Sequence, residues 1–301
     1  MTALDLGHLG VWGHLDSLDA GAARAYVRRV EELGYGTLWV PETVGREPLT
    51  LLGMLAGETS RLVLGTSIVS IWGHDAQATR MAARTLAEAT GDRFVLGLGV
   101  SHPHLAAKLR GHDFDRPLTR MREYLAAYRS AIYRGPVAGA VEPPVLIAAL
   151  RERMTDLAAT DADGAFPYLV TAERVGWMRA RLDAAAPGRR PILAVTLAVA
   201  LADAGSAADA ARAYLKPYLR TPTYHASWEL QGFASDDWEP PGSDRLVEAM
   251  VAMGPVDAVR QRIAALTVAG ADHVAIIPLA PDGVTEHLRT VEALAPRSVA
   301  R

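Results

Sequence analysis

The sequence predicts an α/β fold, a (β/α)8 barrel with an extended insertion between strands 7 and 8. Three observations carry this expectation. Short apolar runs alternate with stretches of helical periodicity along almost the whole chain. Eight of these runs are strand candidates, and parallel strands need the crossovers that the intervening helices supply. The length of 301 residues suits a single barrel domain, 1–301, since such barrels occupy about 250 residues or somewhat more. An open doubly wound sheet is the alternative.

The first strand falls around His8 to Trp12. A helix follows whose Ala23, Val27, Val30 and Leu33 form one apolar stripe, ended by Gly34. Thr37 to Val40 reads as a buried strand, stopped by Pro41. A helix near Leu49 to Thr59 precedes the β-rich run Arg61 to Ser70. Ala78, Met81, Ala82, Thr85, Leu86 and Ala89 then recur at helical spacing before Gly91. Phe94 to Gly99 is the fourth strand. The remaining candidates are Val145 to Ala149, Ala165 to Tyr168, Ile192 to Leu201 and Val274 to Pro278. About seventy residues separate the last two, far more than an ordinary connection, so extra structure is expected there. This segment carries Tyr214, Lys216, Tyr218, Arg220, Tyr224, His225, Trp228, Phe233 and Trp238. It is either a helical excursion packed by its own aromatics or, over 203–250, a substrate cap above the barrel mouth.

Composition narrows the function classes. Half of the residues are hydrophobic, yet no run approaches the ~20 apolar residues of a membrane span. The opening MTALDLGHLG lacks a basic segment followed by a long apolar stretch, so a cytoplasmic location is expected. There is no cysteine, which excludes disulfides, thiolate metal sites and cysteine nucleophiles. A net charge of −3 with mixed signs gives no reason to expect nucleic acid as a partner.

The most informative stretch is Arg93 to His104, RFVLGLGVSHPH. An apolar strand breaks into glycine and delivers Ser101, His102, Pro103 and His104 at a C-terminal strand end, where barrel chemistry is usually placed. Gly97 and Gly99 permit close approach of another backbone or a flat ligand. A turn that merely needs small residues would explain the glycines but not the polar cluster.

Several segments in order resemble the luciferase-like monooxygenase superfamily, and within it the oxidoreductases that use the deazaflavin coenzyme F420. They are LGYGTLWVPE at Leu33 to Glu42, LVLGTSIVSIW at Leu62 to Trp72 and TLAEATGDRFVLGLGVSHP at Thr85 to Pro103. RGHDFDRPLTRMREYL at Arg110 to Leu125 and VAGADHVAII at Val268 to Ile277 complete the resemblance. It implies a coenzyme F420-dependent oxidoreductase moving a hydride between the cofactor and a small organic substrate, with an FMN-dependent monooxygenase as the alternative. It also implies a bulge after the third strand, where Gly65 and Thr66 lead into a non-prolyl cis peptide at Ser67–Ile68 that backs the cofactor ring. Such peptides are rare, so the resemblance alone raises this one.

Trp12, His14, Glu42, Thr66, Ser67, Gly99, Ser101 and His102 sit at predicted strand C-termini where they can converge. With Thr43, Ile68, Ala149 and Leu150 they make the expected site, His102 and Glu42 catalytic and the others cofactor-binding. The competing reading of His102 is a residue that only hydrogen-bonds the cofactor or caps the following helix. Two departures stand out. Thr43 occupies the position where sugar-phosphate dehydrogenases of the family carry a catalytic histidine, and threonine is a poor general base. The phosphate turn, Ala148 to Met154, lacks the usual glycine, leaving Arg151 or Arg153 to compensate by charge or to stand solvated on a first helical turn. Relatives often pair through helices beside the second and third strands, which leaves a homodimer and a monomer both open for this chain; a small-molecule substrate is the expected partner. A metal-dependent hydrolase built on the His102–Pro103–His104 pair would need further ligands, and His273 lies at the wrong end of its strand; no metal is expected. A non-catalytic flavin-binding protein is the remaining alternative.

Overall fold

The computed structural model describes residues 4–103, 105–135, 142–201, 204–280 and 288–296. Its strands are β1 (Leu9–Trp12), β2 (Thr37–Val40), β3 (Val63–Thr66), β4 (Val69–Ser70), β5 (Phe94–Gly99), β6 (Val145–Ile147), β7 (Gly164–Ala165), β8 (Ile192–Ala200), β9 (Val251–Met253) and β10 (His273–Pro278). All pairings are parallel, and the path from β1 through β2, β3, β5, β6, β7 and β8 to β10 returns to β1. Eight staves therefore close a (β/α)8 barrel.

Helices lie between the staves, and short polar side chains start them. Asp19 accepts from the Ala22 N–H ahead of α1 (Ala20–Glu32), and Asp75 from the Ala78 N–H ahead of α3 (Ala76–Thr90). Gly91 ends α3 in the left-handed conformation, φ 65°. The other helices are α2 (Pro48–Leu55), α4 (Pro117–Ser130), α5 (Glu152–Asp161), α6 (Ala172–Ala185), α7 (Ala204–Leu215), α8 (Pro222–Glu229), α9 (Ser235–Trp238), α10 (Asp244–Met250), α11 (Val256–Val268) and α12 (Arg289–Leu294).

Three departures from the sequence expectation bear on the site. The run Arg61 to Ser70 is two strands, β3 and β4, interrupted at Ser67–Ile68. The sixth strand is only Gly164–Ala165, so Tyr168 stands on the loop beyond it. Finally, β9 is an additional strand. It pairs with Ala198 to Ala200 while β10 pairs with the same part of β8, so β9 must take the opposite edge, beyond the end of short β7.

The barrel interior is filled by side chains from several staves, including Trp39, Val95, Leu146, Ala194 and Ala275, and Phe166 packs on Trp39 (4.5 Å) from the cavity side. Trp39 donates its indole N–H to His273 Nε2 (2.9 Å), and His273 Nδ1 bonds the Gly7 carbonyl (2.7 Å). Burial holds the His273 imidazole down to about 4, so it stays neutral and serves packing. The insertion between β8 and β10 packs as its own cluster, with Trp228, Leu215 and Leu246 buried against Ala198 and Leu279.

Candidate active site

The C-terminal strand ends open into a cavity of about 610 Å³. From the end of β1 come Trp12 and His14, whose rings stack 6.2 Å apart. The Trp12 indole N–H donates to Ser67 Oγ (3.1 Å) and lies 3.4 Å from Ser67 O. That contact ties β1 to the bulge after β3, where the Ser67–Ile68 peptide is cis as the resemblance implied. Both Ser67 and Ile68 line the cavity.

Thr66 and Gly99 do not face it, a correction to their expected contact with cofactor. Thr66 is fully buried; its hydroxyl donates to Gly97 O (2.9 Å) and accepts from Gly97 N (2.8 Å), clamping β3 to β5. Gly99 supports from behind. A Cβ there would meet Ile68 Cδ1 at 2.6 Å, and one on Gly97 would meet the Thr66 carbonyl oxygen at 2.0 Å. The two glycines thus let the bulge lie flat on β5, which makes them wall-building residues.

Glu42 lines the cavity but is not a free base. Its Oε2 accepts from the Ser70 N–H (2.7 Å) and lies 3.3 Å from His74 Nε2, while Oε1 pairs with Arg110 Nη2. The side chain is only 6% exposed. Three donors on one carboxylate leave it a positioning group that joins β2 to β4 and to Arg110, against the catalytic expectation. Thr43 behaves similarly. Its hydroxyl donates to Asp16 Oδ2, and Asp16 also accepts from Arg46 N (2.9 Å) and lies 3.7 Å from His14 Nε2. Although burial opposes it, these donors and cations hold the Asp16 carboxyl below its usual range. Asp16 and Arg110 were not identified from the sequence, because their partners are distant in the chain.

Beyond β5, Ser101 adopts φ 55° and leads to His102, whose ring faces Tyr224 at 5.2 Å. Both Ser101 and His102 line the cavity. His104 lies outside the described residues. His273 plugs the opposite end of the barrel, and among the described residues no group of three or more His, Cys, Asp or Glu side chains could hold a metal. On the β6 side, Ala149, Leu150 and Arg151 line the cavity where α5 begins. Arg151 is the N-cap and no side chain caps the first turn, so free N–H groups start the helix there. Arg174 anchors the turn by donating to Leu150 O (2.8 Å). Arg153 does not line the cavity and is exposed. The remaining wall comes from Phe166 and Tyr168 after β7 and from Tyr214, Tyr218 and Tyr224 of the insertion.

A profile of the luciferase-like monooxygenase family matches residues 1–273. The chain belongs to that family. A Mycobacterium tuberculosis protein provisionally named a coenzyme F420-dependent oxidoreductase is 27% identical, over 95% of this chain and 97% of its own. The coenzyme F420-dependent tetrahydromethanopterin reductase of Methanopyrus kandleri superposes with a TM-score of 0.73 at 16% identity, covering 96% of this chain and 97% of that one. The oxygenating constituent of 3,6-diketocamphane monooxygenase from Pseudomonas putida, in complex with FMN, superposes with a TM-score of 0.68 at 14% identity, covering 96% of each chain. Luciferase-like barrels of this shape therefore include proteins that use F420 and proteins that bind FMN, and both structural likenesses establish the fold alone.

Proposed function

We propose that this luciferase-like protein is a coenzyme F420-dependent oxidoreductase in which hydride passes between the deazaflavin and a small organic substrate. One observation carries the proposal: a single cavity joins a largely apolar wall to an uncapped helix N-terminus. Trp12, Ser67, Ile68 and Ala148 bound the first side, while Ala149 to Arg151 and the first turn of α5 bound the other. A tricyclic ring suits the first and a phosphate the second, where N–H groups, the helix dipole and the Arg151 charge favour an anion. The absent glycine is thus offset by a first turn that no side chain caps and by an arginine at its lip.

The deazaflavin, when bound, supplies or accepts the hydride. The chain's own groups do the rest. Trp12 and Ser67 orient the ring wall through their mutual hydrogen bond, and Glu42 fixes β2, β4 and Arg110 around it. Phe166 and the tyrosines exclude water. His102, which lines the cavity beyond β5, is the side chain placed to hold or move a proton at its imidazole.

F420 is favoured over FMN by the M. tuberculosis relative, which spans nearly the full length. An FMN-dependent monooxygenase is the second reading, favoured by the FMN-bound Pseudomonas barrel. Equilibrium binding of oxidised F420 and of FMN, measured side by side by fluorescence on the purified protein, tests the choice. F420 is expected to bind at least tenfold more tightly. Tight FMN binding with no F420 binding would overturn the proposal.

A further inference from the structure

We infer that Tyr224 is the residue of the insertion that grips the ligand, its hydroxyl donating to the carbonyl or hydroxyl oxygen of an uncharged substrate. This names the substrate class for the oxidoreductase reading, on which it rests for calling the ligand a substrate.

The assignment follows from counting protons. Among the described residues four tyrosines line the cavity, Tyr168, Tyr214, Tyr218 and Tyr224. The Tyr168 hydroxyl donates to that of Tyr218 at 2.9 Å and bonds that of Tyr214, while Tyr214 and Tyr218 bond each other. Three phenols have three protons, and three mutual bonds use them all, so the trio closes on itself and keeps no donor for a ligand. Tyr224 stands outside the trio. Its ring packs edge-on to Tyr218 at 5.2 Å, yet its hydroxyl has no hydrogen-bond partner among the described residues. Nor is its oxygen sealed away, as the unpartnered hydroxyl of Tyr128 is. The residue is only 5% exposed, so the open space its hydroxyl reaches is the cavity it lines. Burial pushes all four phenols up from their ordinary range, so each keeps its proton at neutral pH.

The class of ligand follows from what surrounds Tyr224. Its ring stands 5.2 Å from the His102 imidazole, beside the side chain placed to hold or move a proton. The rest of the insertion's lining is Tyr214, Pro217, Tyr218, Thr221 and Thr223, with no charged side chain among them. Thr221 Oγ1 is occupied, donating to Pro217 O (3.0 Å). Arg151 is the one lysine or arginine lining the cavity among the described residues, and it stands at the start of α5, where the cofactor phosphate is proposed. A carboxylate or phosphate at Tyr224 would lose its water with no lysine or arginine to replace it. A neutral ketone or alcohol needs one donor, and Tyr224 supplies it.

Three matched probes test this: 4-fluoroacetophenone, 4-fluorobenzoate and 1-ethyl-4-fluorobenzene. Each is titrated by fluorine NMR into the wild type and the Tyr224→Phe, Tyr214→Phe and Thr223→Val variants, with and without saturating oxidised F420. The substitutions keep side-chain shape, and circular dichroism verifies the fold. The ketone is expected to bind the wild type and to weaken about three- to tenfold in Tyr224→Phe, as loss of one hydrogen bond dictates. Tyr214→Phe should bind it at least as tightly as the wild type, because opening the closed trio releases one phenol proton. Thr223→Val should leave it unchanged. The ethyl probe should be indifferent to Tyr224→Phe, and the benzoate should not bind. Unchanged ketone affinity in Tyr224→Phe, an equal loss there for the ethyl probe, a loss in Tyr214→Phe or Thr223→Val as large as in Tyr224→Phe, benzoate binding as tight as the ketone, or no binding by any probe would each overturn the inference. Failure of F420 to bind while the ketone follows the expected pattern overturns the oxidoreductase reading and leaves the Tyr224 site standing.

Discussion

Gly99→Ala is the sharpest probe of the wall proposed for the cofactor. The added Cβ would lie 2.6 Å from Ile68 Cδ1 and 2.7 Å from Ile68 Cγ1, with Ala148 Cβ at 3.3 Å on the other side. Ordinary contact begins at 3.4 Å, so Ile68 must give way by 0.8 Å (3.4 − 2.6). The direction left open is the cavity that Ile68 lines, the space proposed for the ring. Overpacking costs about 1–3 kcal/mol. Because a side-chain tip can move, the stability loss should stay near 1 kcal/mol, a fall of roughly 2 °C in Tm. The larger effect should be a 10- to 100-fold rise in cofactor Kd, about 1.4–2.8 kcal/mol. Gly97→Ala is the contrast: its Cβ would meet the Thr66 backbone oxygen at 2.0 Å, which no side-chain motion relieves, so stability should fall by about 3 kcal/mol or more. Thermal melts and fluorescence titration with F420 and FMN on both variants give the comparison. Unaltered affinity for both cofactors in a folded Gly99→Ala protein would refute the placement of the ring against Ile68.

Three other outcomes are expected. His102→Asn should lower turnover about 100-fold or more with cofactor affinity nearly retained, the scale of a lost general acid or base; retained turnover with collapsed affinity would make His102 a binding residue. Glu42→Gln removes the charge opposite Arg110 and His74 but keeps an acceptor for the Ser70 N–H. Since Arg110 is 28% exposed and partly screened, the loss should be about 1–2 kcal/mol by urea denaturation, with turnover down less than about tenfold and its pH profile unmoved; a lost limb of the profile would restore Glu42 as a base. His273 is held neutral in the fold, about 4 against 6.5. The unfolded chain therefore binds a proton first, and the stability present above pH 6.5 is lost as pH falls towards 4, roughly 3 kcal/mol from this one group. His273→Asn should flatten that part of the stability–pH curve, and an unchanged slope would show that His273 is not its source.

The barrel was legible because parallel strands buried on both faces read as continuous apolar runs, and Gly34 and Gly91 punctuate the helices between them. What escaped was decided by tertiary contact. Val251 to Met253 follows α10 without any break in apolar character, and becomes β9 only because short β7 leaves an edge of β8 unpaired. The sixth strand ends early for a local reason. Gly164 is pressed so close to β8 that a Cβ would meet Ile192 O at 2.0 Å, and the chain then turns Phe166 and Tyr168 into the cavity.

At the site, sequence reasoning located the residues but not which way they face or what holds them. Thr66 and Ser67 are neighbours, yet one is a buried clamp on Gly97 and the other lines the cavity and accepts from Trp12. A residue-by-residue reading at strand ends cannot separate them, because the bulge changes the side-chain alternation there. The pairing of Glu42 with Arg110 could not be read in advance, since Arg110 stands 68 residues away and no local pattern announces the pair. The same limit hid the tyrosine cluster. Tyr168 meets Tyr214 and Tyr218 across 46 and 50 residues, from a barrel loop to the insertion, so these aromatics could be read as packing until the fold brought their hydroxyls together. The residues of the wall proposed for the cofactor lie within strand-end motifs. The tyrosines of the insertion join the same cavity from segments that meet only when the barrel closes, and what that side of the cavity accepts is therefore the property least legible in this chain.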